Sequence, residues 1–363
     1  MALKWIEGFE TFTTADTLVY KYPSAVVTTS DTLFAQGRDP YGVCLNFGGT
    51  SIITPTLSNG TTYFIGFAFQ NANLTATGFG TILEFRDQTT AQVSLQYNPS
   101  TGKFRVTSTA GGGSGWPVDQ TSTTVYNAGF WYFVEMKVIV NGTTGAVVLK
   151  INGNEEINVT NKNTQVTGNT YSNTFAFVRT GFTGRYGLDD IYILDSVSSV
   201  NPPNNDFLGD VRVEKLVASA AGNSLNAATA WNSSSSAVAN YAAVKYLNDN
   251  HYIHTNGANY VDTFNFGKLR GISTSIYGVA ANVYTRNQDA TSHTIAAAYR
   301  STDGSPSEVY STTVAGSTNT VSNTTTTCKL FLYEKDPVHN SGTQAWTATN
   351  LNSNSEFGVK FLT

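Results

Sequence analysis

The sequence predicts an all-β protein made of two successive sandwiches. Three observations carry this. Apolar residues recur at every second position, as in Tyr63, Ile65, Phe67 and Phe69, which is the pattern of a half-buried strand. No segment keeps a 3.6-residue apolar period over three turns, so long amphipathic helices are not expected. Pairs such as Asn141-Gly142, Asn152-Gly153 and Asp303-Gly304 separate the runs, because Asn, Asp and Gly accept the positive φ of tight turns.

In chain order, residues 5–12 open with aromatics, and short strands are predicted over 42–46, 51–54, 63–69, 81–85 and 91–97. Residues 98–102 turn the chain into a strand over 103–106. The glycine run 111–115 is a loop and not a phosphate cradle, because Trp116-Pro117 follows it and no helix does. The longest strand covers 130–140. It places Tyr132, Val134, Met136, Val138 and Val140 on one face, with Glu135 and Lys137 on the other. After Asn141-Gly142 the chain returns through Val147, Leu149 and Ile151, which alternate with Val148 and Lys150. A hairpin with one apolar face must bury that face against a second sheet. Strands over 174–179 and 187–194 complete a first domain at 1–196.

Residues 197–208 read as a linker, since Pro202-Pro203 lacks two backbone donors and fixes φ. Residues 209–363 form a second, smaller β-sandwich. Its strands are marked by alternating sets: Tyr277, Val279, Ala281 and Val283; Ile295, Ala297 and Tyr299; Leu330 and Leu332; Phe357, Val359 and Phe361. Residues 223–240 read as a surface loop around Trp231.

A chain of 363 residues is more than one ordinary domain needs. Charged residues make up 13% of it, about half the usual share of ~25%, and Ser, Thr, Asn and Gly take their place. The net charge of −4 and the lack of a basic run exclude nucleic acid as a partner. No apolar run approaches ~20 residues, so no membrane-spanning helix is expected. The N-terminus lacks the apolar core of a signal peptide, which points to synthesis in a cytoplasm. Cys44 and Cys328 fall in different predicted domains and are expected to be reduced.

The opening of the long strand at 130–132 (Phe-Trp-Tyr), Gly145, Ile151-Asn152-Gly153 and the strand 188–192 (Leu-Asp-Asp-Ile-Tyr) resemble the concanavalin A-like, laminin G-like jelly roll. Taken with Trp5-Ile6-Glu7-Gly8-Phe9, the stretch 204–213 (Asn-Asn-Asp-Phe-Leu-Gly-Asp-Val-Arg-Val) and the C-terminal 346–358, the whole chain is similar to structural proteins of tailed bacteriophages. That resemblance implies a laminin G-like jelly roll at 1–196 and a location on the virion after synthesis in the bacterial host. It implies a particle component and does not fix its place on the particle. The reading adopted is a non-enzymatic, tail- or fibre-associated component, a homo-oligomer that contacts other virion proteins and mediates host adhesion. The alternatives are a capsid decoration protein and a carbohydrate-binding receptor module or depolymerase that meets a host surface glycan.

Three groups of residues are candidates for a site. Trp116 and Trp231 lie in loop-like surroundings, where an aromatic can stack on a sugar or fill a subunit interface. Asp189-Asp190 is the most conspicuous acidic pair, and laminin G-like relatives bind calcium in places. A regular strand, however, sends adjacent side chains to opposite faces, so one of the two would be buried and the other solvated. Catalysis has little to build on. The jelly-roll half lacks alternating carboxylates of the glucanase type, Glu84 and Asp87 do not share a strand face, and Glu334-Lys335-Asp336 with His339 lacks a closing Glu. His251, His254, His293 and His339 do not show the spacing of a zinc site. No cofactor beyond calcium is suggested.

Overall fold

The computed structural model describes residues 2–12, 14–26, 33–40, 42–108, 117–196, 204–224, 231–270, 275–289, 291–303, 307–316, 318–321 and 325–363. The chain divides into two compact units, Met1–Val213 and Glu214–Thr363. Both are β-structures, in keeping with the alternation in the sequence.

The first unit contains strands β1 (Leu3–Glu7), β2 (Leu33–Gln36), β3 (Val43–Phe47), β4 (Ser51–Ile53), β5 (Thr62–Asn71), β6 (Gly80–Asp87) and β7 (Thr90–Asn98). They are followed by β8 (Lys103–Ser108), β9 (Asp119–Thr121), β10 (Trp131–Ile139), β11 (Gly145–Ile151), β12 (Asn154–Lys162), β13 (Thr174–Thr180) and β14 (Tyr186–Asp195). Eight of them form one sheet in the order β12-β11-β10-β5-β14-β3-β2, with β1 pairing β14 beyond β3. The other six form a second sheet, β4-β13-β6-β7-β8-β9. The predicted hairpin is β10–β11, with Met136 opposite Leu149 and Val138 opposite Val147.

The inner faces meet through aromatics. Tyr63, Phe67 and Phe69 of the eight-stranded sheet meet Phe175, Phe177, Tyr97 and Phe104 of the six-stranded sheet edge-on, with ring centroids 4.7–5.5 Å apart. Edge-to-face pairs of this kind add to the burial of large apolar surface.

The eight-stranded sheet is also covered on its outer face. Leu3, Phe64, Ala68, Phe133, Tyr192 and Leu194 form a separate apolar cluster there, closed by Phe207, Leu208 and Val211. Glu135, on the face opposite the apolar one as expected, is 1% exposed. Its Oε1 accepts hydrogen bonds from Tyr192 Oη at 2.5 Å and Gly209 N at 2.8 Å. Residues 204–208 of the stretch read as a linker, together with 209–213 of the expected second domain, are therefore a strap that belongs to the first unit. Residues 197–203 lie outside the described residues. The second unit begins at Glu214 and not at 209.

The second unit has β15 (Ala218–Ala221), β16 (Asn232–Ser233), β17 (Ile253–His254), β18 (Val261–Phe266), β19 (Val279–Thr285) and β20 (His293–Ser301). It continues with β21 (Ser307–Ser311), β22 (Thr320–Val321), β23 (Thr327–Tyr333) and β24 (Ser355–Phe361). The main sheet runs β15-β18-β24-β20-β21, with β22 also on β20. The ribbons β19–β23 and β16–β17 stand apart from it. Tyr299, Phe331, Tyr333, Trp346, Phe357 and Val359 fill the core, against which Val279, Ala281 and Val283 of β19 pack. Among the described residues no helix is long and apolar enough to cross a membrane.

Candidate ligand-binding face

The expected acidic pair is a clasp for an arginine. Between Asp189 and Tyr192 the register of β14 against β5 shifts, and Asp190 takes a φ of 52°. This bulge breaks the alternation of side chains, so both carboxylates are buried, at 2% and 3% exposure. Asp190 Oδ2 accepts from Arg38 Nε at 3.0 Å, and Asp189 Oδ2 accepts from Arg38 N at 3.1 Å. Gly37 permits this approach, because a Cβ there would lie 2.7 Å from Asp189 Oδ2. The Arg38 guanidinium also donates to Val211 O at 2.6 Å and pairs with Asp210 at 2.6 Å, while Val213 N donates to Asp190 Oδ1 at 2.7 Å. The expectation of one buried and one solvated carboxylate is thus corrected, and their oxygens face N–H donors. No group of three or more His, Cys, Asp and Glu that could hold a metal occurs among the described residues.

Burial raises the pKa of both aspartates, and for Asp189 the neighbouring Asp190 adds to the shift. Glu10 lies in the same field. Burial, with Asp189, Glu7 and Asp190 nearby, pushes it up to about 9, so it is protonated at neutral pH.

The other candidates do not converge. Trp116 lies outside the described residues. Trp231 is half-buried, donates from Nε1 to Tyr260 O at 3.1 Å and packs on the core of the second unit. It is not an exposed platform. Asp336 is buried and accepts from Tyr299 Oη and the backbone N–H groups of Val338 and His339, with His339 Nδ1 2.7 Å away. Asp87 anchors the loop around Thr167 and Asn169.

The outer face of the six-stranded sheet brings together residues that were not singled out. Because Phe85, Val93, Leu95, Tyr97, Phe104 and Val106 are fully buried in the core, their neighbours along β6, β7 and β8 point outward. Cross-strand pairing aligns Glu84, Ser94, Thr107 and Asp119 in one row over four strands. Gln96, Arg105 and Thr121 form the adjacent row, with Thr81 beside Gln96. Two arginines are held planar by carboxylates. Arg86 Nε donates to Glu84 at 2.7 Å, and Arg105 makes two bonds of 2.6 Å to Asp119.

Beneath these pairs the floor is polar. Ser94 Oγ, Gln96 Oε1 and Thr107 Oγ1 are buried without a hydrogen-bond partner. At one corner Thr75, Ala76, Thr77, Gly78, Phe79, Gly181, Phe182 and Thr183 line a shallow depression, and the Arg105 guanidinium lies 5.3 Å from the Phe79 ring centre. The signal for this face is present in the sequence. Glu84 and Arg86, Gln92, Ser94 and Gln96, and Lys103, Arg105 and Thr107 repeat polar residues at period two on three successive strands.

No family model matches the sequence, and no curated protein matches it. Solved structures do align with it. Domain 4 of the extracellular arabinanase AbnA from Geobacillus stearothermophilus, in complex with arabinotriose, aligns at 23% identity and TM-score 0.33, covering 45% of this chain and 75% of that one. The endo-β-1,4-glucuronan lyase from Trichoderma reesei aligns at 12% identity and TM-score 0.36, covering 47% of this chain and 90% of that one. The Trypanosoma rangeli sialidase aligns at 14% and 0.31, covering 45% and 27%. The expectation of a protein without enzymatic function does not survive this comparison, since the aligned chains come from an arabinanase, a lyase and a sialidase. At these scores none of them assigns an activity to this chain.

Proposed function

We propose that the chain binds a polysaccharide along the outer face of its six-stranded sheet, as a component of a bacteriophage particle. The observation that carries the binding is the pair of polar rows from Glu84 to Asp119 and from Thr81 to Thr121. Leaving a buried hydroxyl unsatisfied costs about 1–3 kcal/mol. Ser94 and Thr107 therefore do not serve stability, where Ala and Val would do better. A sugar chain needs donors and acceptors spaced along a line, and the accessible members of the rows, Thr81, Glu84, Gln96, Arg105, Asp119 and Thr121, offer hydroxyl, amide, carboxylate and guanidinium groups in that form, above Ser94 and Thr107, which are 0% exposed. Arginine held by a carboxylate presents a fixed planar fork, and Phe79 with Phe182 supplies apolar contact at the corner. The location on a particle rests on the resemblance of the sequence to tailed-phage structural proteins.

The test is a glycan screen with the full chain, followed by calorimetry on the best hit. Arg105→Ala and Glu84→Gln are expected to weaken binding by about tenfold or more, the worth of one good charged hydrogen bond. Chromatography of the bound glycan reads out cleavage in the same experiment. Equal binding by wild type and both variants, or no binding to any glycan, overturns the assignment of this face. Antibody labelling of intact virions tests the particle. Label on fibres or tail tip supports adhesion, label over the capsid supports decoration, and absence from washed particles removes the virion role.

A further inference from the structure

On the reading of the six-stranded sheet's outer face as a polysaccharide site, its charges decide which polysaccharides fit. Among the described residues, strands β6 to β9 place Glu84, Arg86, Lys103, Arg105 and Asp119 on that face. Two arginines and a lysine would suit an acidic polymer if their charge were open to it. For the arginines it is not. Arg105 gives Nε to Asp119 Oδ1 and Nη2 to Asp119 Oδ2, each at 2.6 Å, which is the two-point contact by which a guanidinium recognises a carboxylate. Arg86 sets Nε 2.7 Å and Nη2 2.5 Å from Glu84 Oε2. Each guanidinium thus already faces the group that a uronic acid would bring. Lys103 is in no ion pair among the described residues, but it stands at the turn end of β8, opposite Asn98.

The carboxylates keep room to accept. Arg86 approaches Glu84 through Oε2 and leaves Oε1 outside the pair, and the Asp119 side chain is 45% exposed. These two acids stand at the two ends of the row Glu84, Ser94, Thr107 and Asp119, three strand spacings or about 14 Å apart. A polymer laid along the row therefore meets a negative group at each end. A sugar hydroxyl gains there, because its O–H donates a charge-assisted hydrogen bond to a carboxylate. An ionised carboxylate or sulfate has no proton to give and is repelled, and such like-charge contacts are a common means of rejecting a wrong partner.

We infer that the face takes a neutral, hydroxyl-rich polysaccharide and turns away polyanions such as polyuronates. The two ion pairs hold their donors and acceptors in fixed directions while cancelling the field that would draw in an acidic chain. Binding to a neutral polymer brings no opposite net charges together, so there is little for salt to screen.

The test is titration calorimetry of the full chain against neutral polymers (arabinan, galactan, mannan and dextran) and acidic ones (alginate, polygalacturonate and hyaluronan), at low and at high salt. At least one neutral polymer is expected to bind, with an affinity that changes by less than about twofold with salt. The acidic polymers are expected to bind about tenfold more weakly or not at all. Asp119→Asn removes one anion and opens the Arg105 fork, and it is expected to raise the ratio of acidic to neutral affinity by about tenfold. Tighter binding of an acidic polymer by the wild type, lost in Arg105→Ala, keeps the face as the site and overturns the neutral ligand. An unchanged ratio in Asp119→Asn overturns exclusion by the ion pairs. Binding that Arg105→Ala and Glu84→Gln leave unaltered, or no binding to either class, removes the face itself and this inference with it.

Discussion

The two outer faces of the first sandwich solve the same problem in opposite ways. Both are backs of sheets whose fronts share one aromatic core. The back of the eight-stranded sheet carries Phe64, Phe133 and Tyr192, and the chain folds its own strap over them. The back of the six-stranded sheet carries hydroxyls, amides and ion pairs, and part of its floor is left unsatisfied. The charged groups differ in the same sense. Arg38 sits among buried aspartates with 6% of its side chain exposed, whereas the Arg105–Asp119 pair is 25% and 45% exposed. One back is closed by the chain itself, and the other is left uncovered with its ion pairs at the surface.

Substitutions can break or sharpen this contrast. The largest effect is expected at Arg38. Arg38→Ala strands two buried carboxylates and is expected to cost about 3–5 kcal/mol, read from the urea midpoint of the first unit. Arg105→Ala on the other back removes an exposed pair and is expected to cost less than about 1 kcal/mol.

Next comes a pH dependence confined to the sealed side. Glu10 has a pKa of about 9 in the fold against an ordinary 4.5, so between these values the folded chain holds a proton that the unfolded chain has lost. Its contribution to stability is full below pH 4.5 and declines as pH rises towards 9. Glu10→Gln is expected to abolish this decline, so its advantage over wild type grows with pH. Urea midpoints measured at acid, neutral and alkaline pH would show it, and parallel curves for the two proteins would refute the assignment.

Phe207→Ala is expected to cost about 2 kcal/mol, less than a fully enclosed ring because Phe207 is half-buried. It meets Phe64 edge-on at 5.3 Å, and Lys150 Nζ lies 4.5 Å from its ring centre. Binding of an apolar dye should rise with it. The opposite sign is expected from Ser94→Ala with Thr107→Val, which removes two buried hydroxyls without a hydrogen-bond partner and should raise stability by about 1–3 kcal/mol for each. A loss of stability would show that the hydroxyls have partners.

Much of this was legible in the sequence. Period-two alternation placed Tyr63, Phe67, Phe69, Met136 and Val138 on an inner face, since burial of one face is a local constraint written along each strand. The strap was not legible. Pro202-Pro203 followed by Asn204-Asn205-Asp206 has the composition of a linker, and only the distant Phe64, Phe133 and Tyr192 make its apolar residues useful. The clasp was hidden for a related reason. Arg38 is 151 residues from Asp189, and the bulge that turns both carboxylates toward it leaves no mark in residue type. The polar back was written in the same alternation as the core, at the positions between the core residues.

The position of the clasp has a mechanical consequence. The chain passes into the second unit directly after Val213, whose N–H is held by Asp190, and two residues after Val211, whose carbonyl is held by Arg38. Tension applied at Glu214 is therefore borne first by this knot, and then by the bonds of Gly209 to Glu135 and Leu208 to Tyr192. The sheets themselves are loaded only after the strap has peeled. Release of residues 204–213 would pay out about 35 Å of chain and bare the aromatic back beneath. Arg38 and its aspartates are thus the first contacts of the first unit that such a pull would load.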